Sequence, residues 1–364
     1  MSVLTEVRGG AGLVTLDRPK ALNALSLPMI RELTAALLSW RDDAHVQCVA
    51  VRGQGREGPF GNFCAGGDIR FFHEVATAGG VALEDFFTEE YELNHLIHTY
   101  PKPYAVFLDG VVFGGGMGIS GHGRNGRGLR IVTERTKMAM PETNIGLFPD
   151  VGGGWFLSRC PGRLGEYLAL TGQVFSGADA LAAGLADAGV DSSQLPSLWE
   201  LLTQDGFEAV EAASRIAGSE TKPPQPSLPQ APIERFFGLD SIAAIVSALE
   251  GDAAPWAQET AAVLRKRSPL MLHVTLEQVR RARAMTLADA LRLERGMMRH
   301  CFHRDGAIAS ETVEGIRALV IDKDQAPQWK PARIEDVTPE MVAEFFRSPW
   351  PAHAHPLRRL DAGR

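Results

Sequence analysis

Cysteine is scarce in this chain of 364 residues. There are four, Cys48, Cys64, Cys160 and Cys301, widely scattered, with no CxxC pair and no metal-ligand spacing. That excludes a disulfide scaffold and suggests a reducing compartment, so a cytoplasmic address is expected. Long apolar runs are also missing: none approaches the roughly 20 residues that span a bilayer, and no membrane partner is expected. Residues 1–7 have neither the apolar core of a secretory signal nor the Arg-rich, acid-poor character of a transit peptide. A basic excess is absent as well. The 37 Lys and Arg against 44 Asp and Glu leave a net charge of -7, which argues against a nucleic-acid surface. There is no Walker A sequence and no HExxH, so neither a phosphate-cradling loop nor a helical zinc pair is expected.

What is present is ordinary for a globular protein: 45% hydrophobic and 22% charged residues. The length allows one large domain, alone or with a smaller one. Gly12 to Asp17 reads as a strand, Ser26 to Trp40 as a helix with Ser26 at its N-cap, and Val46 to Val51 and Tyr104 to Leu108 as buried strands. Residues 84–98 read as a helix carrying Glu89, Glu90 and Glu92. Strands alternating with helices argue for an α/β architecture. Ser176 opens a short helix ending near Gly184. The tract Lys222 to Pro229 is too rich in proline for regular structure. The expected division is therefore a core over 1–218, a Pro-rich linker or loop over 219–233, and a mainly helical region over 234–364. In that last region Thr286 to Asp289 resembles a capping box, and Leu287, Ala290, Leu291, Glu294, Met297, Met298 and Cys301 recur at helical spacing. The Met pair reads as core packing.

Some motifs weaken on inspection. Gly121 to Gly126 matches GxGxxG, but no strand precedes it directly and no apolar-faced helix comes after it. Ser120 falls close to a nucleophile elbow without matching it, and His122 is too near in sequence to be its triad partner.

The informative stretch is Met140 to Gly154. It sets two acids, Glu142 and Asp150, at either end of an apolar run bounded by prolines and glycines. Buried carboxylates are costly unless paired, so acids in such a run are candidates for chemistry. Phe63 to Arg70 and Gly114 to Gly118 are small-residue turns, where a backbone amide can face a ligand with no side chain in the way. Two exposed amides with two acids make an oxyanion hole beside a general acid/base or nucleophile.

In this combination and order, the chain resembles the crotonase, or enoyl-CoA hydratase/isomerase, superfamily. Asp17 to Leu25 looks like its opening motif, Phe63 to Arg70 like its first oxyanion segment and the Gly-Gly-Gly turn like its second. Phe87 to Tyr91, Pro141 to Gly154 and Ile321 to Ala332 are most similar to the branch that hydrolyses 3-hydroxyisobutyryl-CoA. The resemblance implies an α/β fold, a crotonase-like spiral of ββα units with a C-terminal helical region. It implies Ala65 and Gly115 as oxyanion-hole amides, Gly66, Gly67 and Asp68 completing the first loop, and Lys20, Ala21 and Leu22 at the CoA. Glu142 and Asp150 become the catalytic acids and Glu90 a substrate-side acid. The implied activity is thioester hydrolysis in valine degradation, with acyl-CoA as substrate, no cofactor, no metal, and a possible homo-oligomer (trimer or hexamer). Hydratases place their second catalytic Glu three residues after the middle glycine, where this chain has Gly118. An enoyl-CoA hydratase or isomerase, and a catalytically silent acyl-CoA-binding homologue, are the alternatives. Residues 124–128 look like an insertion of about four residues, which either lies in a surface loop or reaches the acyl pocket and alters substrate choice.

Overall fold

The computed structural model describes residues 2–121, 128–220, 226–302 and 310–361. The strands, in chain order, are β1 (Val3–Arg8), β2 (Ala11–Leu16), β3 (Cys48–Gly53), β4 (Tyr104–Leu108), β5 (Val111–Phe113), β6 (Gly128–Val132), β7 (Lys137–Ala139), β8 (Phe175–Ser176) and β9 (Ala188–Gly189). One sheet has the order β1-β2-β3-β4-β6-β9 and a smaller one β5-β7-β8. In the larger sheet only β1 runs antiparallel to its neighbour. Every residue of β2 and of β4 is buried, the continuous apolar pattern of a covered parallel sheet.

The turns set the winding. β4 and β5 are joined at Asp109-Gly110, and β6 and β7 through Thr133–Thr136. Each pair places its first strand in the larger sheet and its second in the smaller. After β3 the chain does the same in miniature, with Cys64 bridging Val112 of β5. Stacked turns of this kind are the expected spiral. The predicted strand over 46–51 is shifted: Val46 and Gln47 lie in the approach turn, where the Gln47 amide donates to the carbonyl of Gly10. The helix after Ser26 spans Leu27–Arg41, and Ser26 occupies its N-cap without a side-chain capping bond.

The chain forms two compact units. The first comprises Met1–Gly67, Glu92–Ala139 and Val174–Leu228, and holds both sheets. The second comprises Asp68–Tyr91, Met140–Gln173 and Pro229–Arg364. The last crossing, at Leu228/Pro229, lies inside the expected 219–233 stretch, but the second unit also takes two segments from earlier in the chain. Regular structure enters that stretch from both sides, since helices Phe207–Glu220 and Gln230–Phe237 flank it; residues 221–225 lie outside those described. Ser227 and Leu228 are tied down by amide donation to Asp179 Oδ1, at 2.6 and 3.2 Å. Beyond it come the expected helices, among them Pro269–Ala282 and Leu287–Phe302, with Met297 and Met298 in the core.

Other sequence readings resolve simply. The Ser120 hydroxyl is buried and donates to Met117 O at 2.7 Å, which leaves it no nucleophilic role. His122 and most of the GxGxxG match, like positions 124–127 of the insertion, lie outside the described residues, but the chain continues from them into strand β6 rather than a helix.

Gly116 is where the first unit is tightest beside the glycine turn: a Cβ there would meet the Cys64 carbonyl oxygen at 2.4 Å. Gly116→Ala is expected to destabilise the fold by about 1–3 kcal/mol, the usual range for overpacking. Urea unfolding measures it, and an unchanged midpoint would show that the two turns are not in register as described.

Candidate active site

The candidate residues fall into two groups, one in each unit. In the first unit, the short 3-10 turn Pro19–Ala21 carries Lys20 and Ala21 exposed at the surface. Leu22 and Asn23 come next at φ +50° and +57°, left-handed values that asparagine tolerates better than most residues. Buried Asn23 secures the bend: its Oδ1 accepts from Arg18 N at 2.8 Å, and its Nδ2 donates to the Gln54 and Asn62 carbonyls at 3.1 and 2.7 Å.

The bend determines which amides are free. Ala65 N donates to Leu22 O at 3.0 Å, so the expected Ala65 oxyanion donor is already committed. This corrects the sequence reading by two residues: among the described residues the amide of Gly67 makes no main-chain hydrogen bond. Gly66 turns the loop at φ +95°, and a Cβ on it would lie 3.3 Å from Phe113 O and 3.6 Å from Gly115 N, so this loop abuts the glycine turn. Gly115 is the first residue of the four-residue helix Gly115–Gly118, where amides have no intrahelical acceptor. Gly67 and Gly115 are thus the candidate donor pair. Asp68, the first residue of the second unit, is the N-cap of helix Ile69–Thr77, its carboxylate accepting from Phe71 N at 3.5 Å.

The second unit gathers the acids. Glu142 opens a 3-10 turn, Glu142–Ile145, that is held at several points. Thr143 donates to Leu170 O at 3.1 Å, Arg267 donates to Asn144 Oδ1 at 2.5 Å and to Thr171 O, and Thr312 donates to Gly146 O at 2.7 Å. Glu142, Asp150, Glu90 and Glu294 are all buried, from 1 to 6 % exposed. Among the described residues none of the four is paired with a Lys, Arg or His. Glu142 Oε2 and Glu90 Oε1 have no hydrogen-bond partner.

Burial is the first cause of what their carboxyls do, because the charged form loses its hydration. It pushes Glu142 well above the ordinary carboxylate range, with Asp150, Glu90 and Glu294 adding repulsion. Glu90 is raised in the same way, by burial and then by Asp150. Asp150 rises only to about 6, because the Tyr91 hydroxyl donates to its Oδ2 at 2.7 Å and favours the ionised form. Glu294 is pushed up to about 8, against the pull of three N–H donors. Four acids with this spread can hold, share and exchange protons at neutral pH.

Tyr91 and Glu294 were not expected as site residues. Tyr91 comes directly after Glu90 on helix Ala82–His98 and carries no local signal. Glu294 did carry one, as an acid within an otherwise apolar helical stripe.

A family model described as enoyl-CoA hydratase/isomerase matches residues 11–346. The chain belongs to that family. Among curated relatives, a protein named 3-hydroxyisobutyryl-CoA hydrolase, mitochondrial, from Rattus norvegicus is 40% identical over 356 residues, 95% of this chain and 89% of its own length. The Gallus gallus protein of the same name is 39% identical over 95% and 88%. Two solved members carry other names. A carnitinyl-CoA dehydratase from Mycobacterium thermoresistibile matches with a TM-score of 0.86 at 40% identity, covering 95% of this chain and 96% of its own. An enoyl-CoA hydratase from Rhodobacter sphaeroides 2.4.1 matches at 0.81 and 36%, covering 96% and 98%. The family fold is therefore firm, while names within the family divide between hydrolase and lyase.

Two outcomes test the acid group. Tyr91→Phe removes a bond that favours ionised Asp150, so the Asp150 carboxyl should titrate above its present value of about 6. Carbon-13 NMR reads this, and a downward move would contradict the hydrogen bond's role. The raised acids also bind protons more tightly folded than unfolded. Stability is therefore fully present below the ordinary carboxylate value and lost as pH rises through about 6 for Asp150 and about 8 for Glu294. The melting temperature should be lower at about pH 8.5 than at about pH 5, and Glu90→Gln should flatten that slope. A melting temperature that climbs across this range would mean the buried acids are not holding protons.

Proposed function

We propose that this protein hydrolyses a short 3-hydroxyacyl-CoA thioester, with 3-hydroxyisobutyryl-CoA as the substrate of choice, giving 3-hydroxyisobutyrate and free CoA in valine breakdown. The observation that carries the reading is Asp150: a buried carboxylate, oriented by Tyr91, in the same acid group as Glu142 and Glu90, in a chain whose position 118 is glycine. A two-carboxylate hydration mechanism needs an acid at 118, and a thioesterase does not. The names of relatives at 39–40% identity point the same way.

In this reading the thioester carbonyl is polarised by the amides of Gly67 and Gly115, a contribution of roughly 3–4 kcal/mol per donor in acyl transfer. Once its proton has passed to a neighbouring acid or to solvent, Glu142 either attacks the carbonyl carbon, expelling the thiolate and leaving an anhydride that water opens, or takes a proton from the water that attacks. Both routes end in carboxylate and thiol. Asp150 accepts a hydrogen bond from the substrate's hydroxyl, and Glu90 supports it from the substrate side. Lys20, Ala21 and Leu22, on their exposed turn, meet the CoA. The four cysteines are buried and no disulfide joins them among the described residues, which suits a reducing compartment such as the cytoplasm. Assembly as a trimer or hexamer belongs to the same proposal. Among the described residues no helix is long and apolar enough to cross a membrane.

The rival with an observation behind it is a lyase, given the dehydratase neighbour at a TM-score of 0.86. One experiment separates them: thiol release from 3-hydroxyisobutyryl-CoA beside absorbance loss of crotonyl-CoA. Thiol release without hydration is expected; the reverse overturns the proposal. Glu142→Gln should lower thiol release by about 10²–10⁴-fold while CoA-ester binding persists. A rate within a few-fold of wild type would remove Glu142 from the chemistry.

A further inference from the structure

We propose that Glu294, braced by Gln278, is the positioning residue for Asp150, and that through it the protein prefers an acyl chain bearing a hydroxyl. This rests on the thioesterase reading above. Glu294 touches none of the reacting groups named there; it acts on the backbone that carries one of them.

The loop around Asp150 is not one the chain would adopt unaided. Val151 sits at φ +54° and Gly152 at φ +85°. A β-branched residue in the left-handed region is a true outlier, held only when its surroundings insist. The surroundings here are two side chains from distant helices. Glu294 Oε2 accepts from Gly152 N at 2.7 Å, and Oε1 accepts from Gly154 N at 3.2 Å and from Gln278 Nε2 at 3.0 Å. The same Nε2 donates to Pro149 O at 2.7 Å. Asp150 is therefore pinned from the residue before it and from the residues after it. A Cβ on Gly154 would lie 2.9 Å from that Nε2, so the loop is seated directly on Gln278.

The chemistry of the anchor matters. Two backbone amides and one side-chain amide converge on it, so both its oxygens must accept. A carboxyl group keeps acceptor lone pairs on both oxygens with or without its proton; a carboxamide replaces one acceptor with an NH2 that only donates. Burying an acid is costly unless donors meet it, and here Gly152, Gly154 and Gln278 supply them. Tyr91 can aim the Asp150 carboxylate only if the Asp150 backbone stays in place. A misplacement on the order of 1 Å in a supporting residue is enough to spoil such a contact.

The test compares wild type, Asp150→Ala, Glu294→Gln and the double variant. For each, kcat/KM is measured by thiol release from 3-hydroxyisobutyryl-CoA and from isobutyryl-CoA, which lacks the hydroxyl, with circular dichroism to confirm folding. Wild type should favour the hydroxylated ester, and Asp150→Ala should abolish that preference. Glu294→Gln should lower the ratio about tenfold, the order expected for losing a hydrogen bond to a charged group, and should add nothing on top of Asp150→Ala. A purely structural role would lower both rates together and leave the ratio alone, and that result overturns the proposal. So does a double variant whose losses multiply, or a ratio that Asp150→Ala does not move. No thiol release by wild type overturns the thioesterase reading itself, which is a separate result. Should Glu294→Gln not fold, Gln278→Leu removes the Pro149 anchor while leaving both amide bonds to Glu294. It should lower the ratio by a smaller factor, and an unmoved ratio there also overturns the proposal.

Discussion

The protein buries four carboxyl groups in one compact unit with no cation paired to them among the described residues, and much of that unit is organised around this constraint. An unpaired buried charge is expensive, and there are two physical ways out: hold a proton, or collect N–H and O–H donors. The four acids divide between them. Asp150 takes a phenol hydroxyl and titrates near 6, whereas Glu294 takes two loop amides and a carboxamide. Glu142 and Glu90 each keep an oxygen without a partner among the described residues, and burial raises both. A group left unsatisfied in the interior is a group kept available for something that binds there.

The glycines solve a complementary problem in the other unit. Which amides keep their hydrogens unused among the described residues is decided by the bends around them. Asn23 fixes a left-handed bend, the bend places Leu22 O where Ala65 N reaches it, and Gly66 reverses the chain so that the next amide is released. Donors of this kind are useful because they are held in place before the substrate arrives.

Much of this was legible from residues alone. The continuous apolar runs located β2 and β4, and the Met pair in the apolar stripe over 287–301 read correctly as core. Strand and helix boundaries slipped where a neighbour claimed the hydrogen bond, as at Val46 and Gln47, whose turn is tied to Gly10. Glu142 and Asp150 stood out because acids rarely interrupt an apolar run. Tyr91 did not, since a tyrosine on an amphipathic helix is unremarkable until its hydroxyl is seen to meet Asp150. The Ala65 assignment failed for a related reason: a motif names a segment, while the free amide within it is decided by which carbonyls lie nearby.

By itself the sequence determined the fold class, the order of the motifs and which acids to look at, because these depend on local periodicity, glycine content and the cost of burying charge. Only the tertiary structure decided the partners. Tyr91 and Asp150 are 59 residues apart, and Glu294 and Gly152 are 142 apart. A hydrogen bond needs its atoms within about 3 Å, and across such separations in the chain nothing local sets that distance. Packing sets it, and with it which carboxyl is oriented, which is an anchor, and which amide is left free.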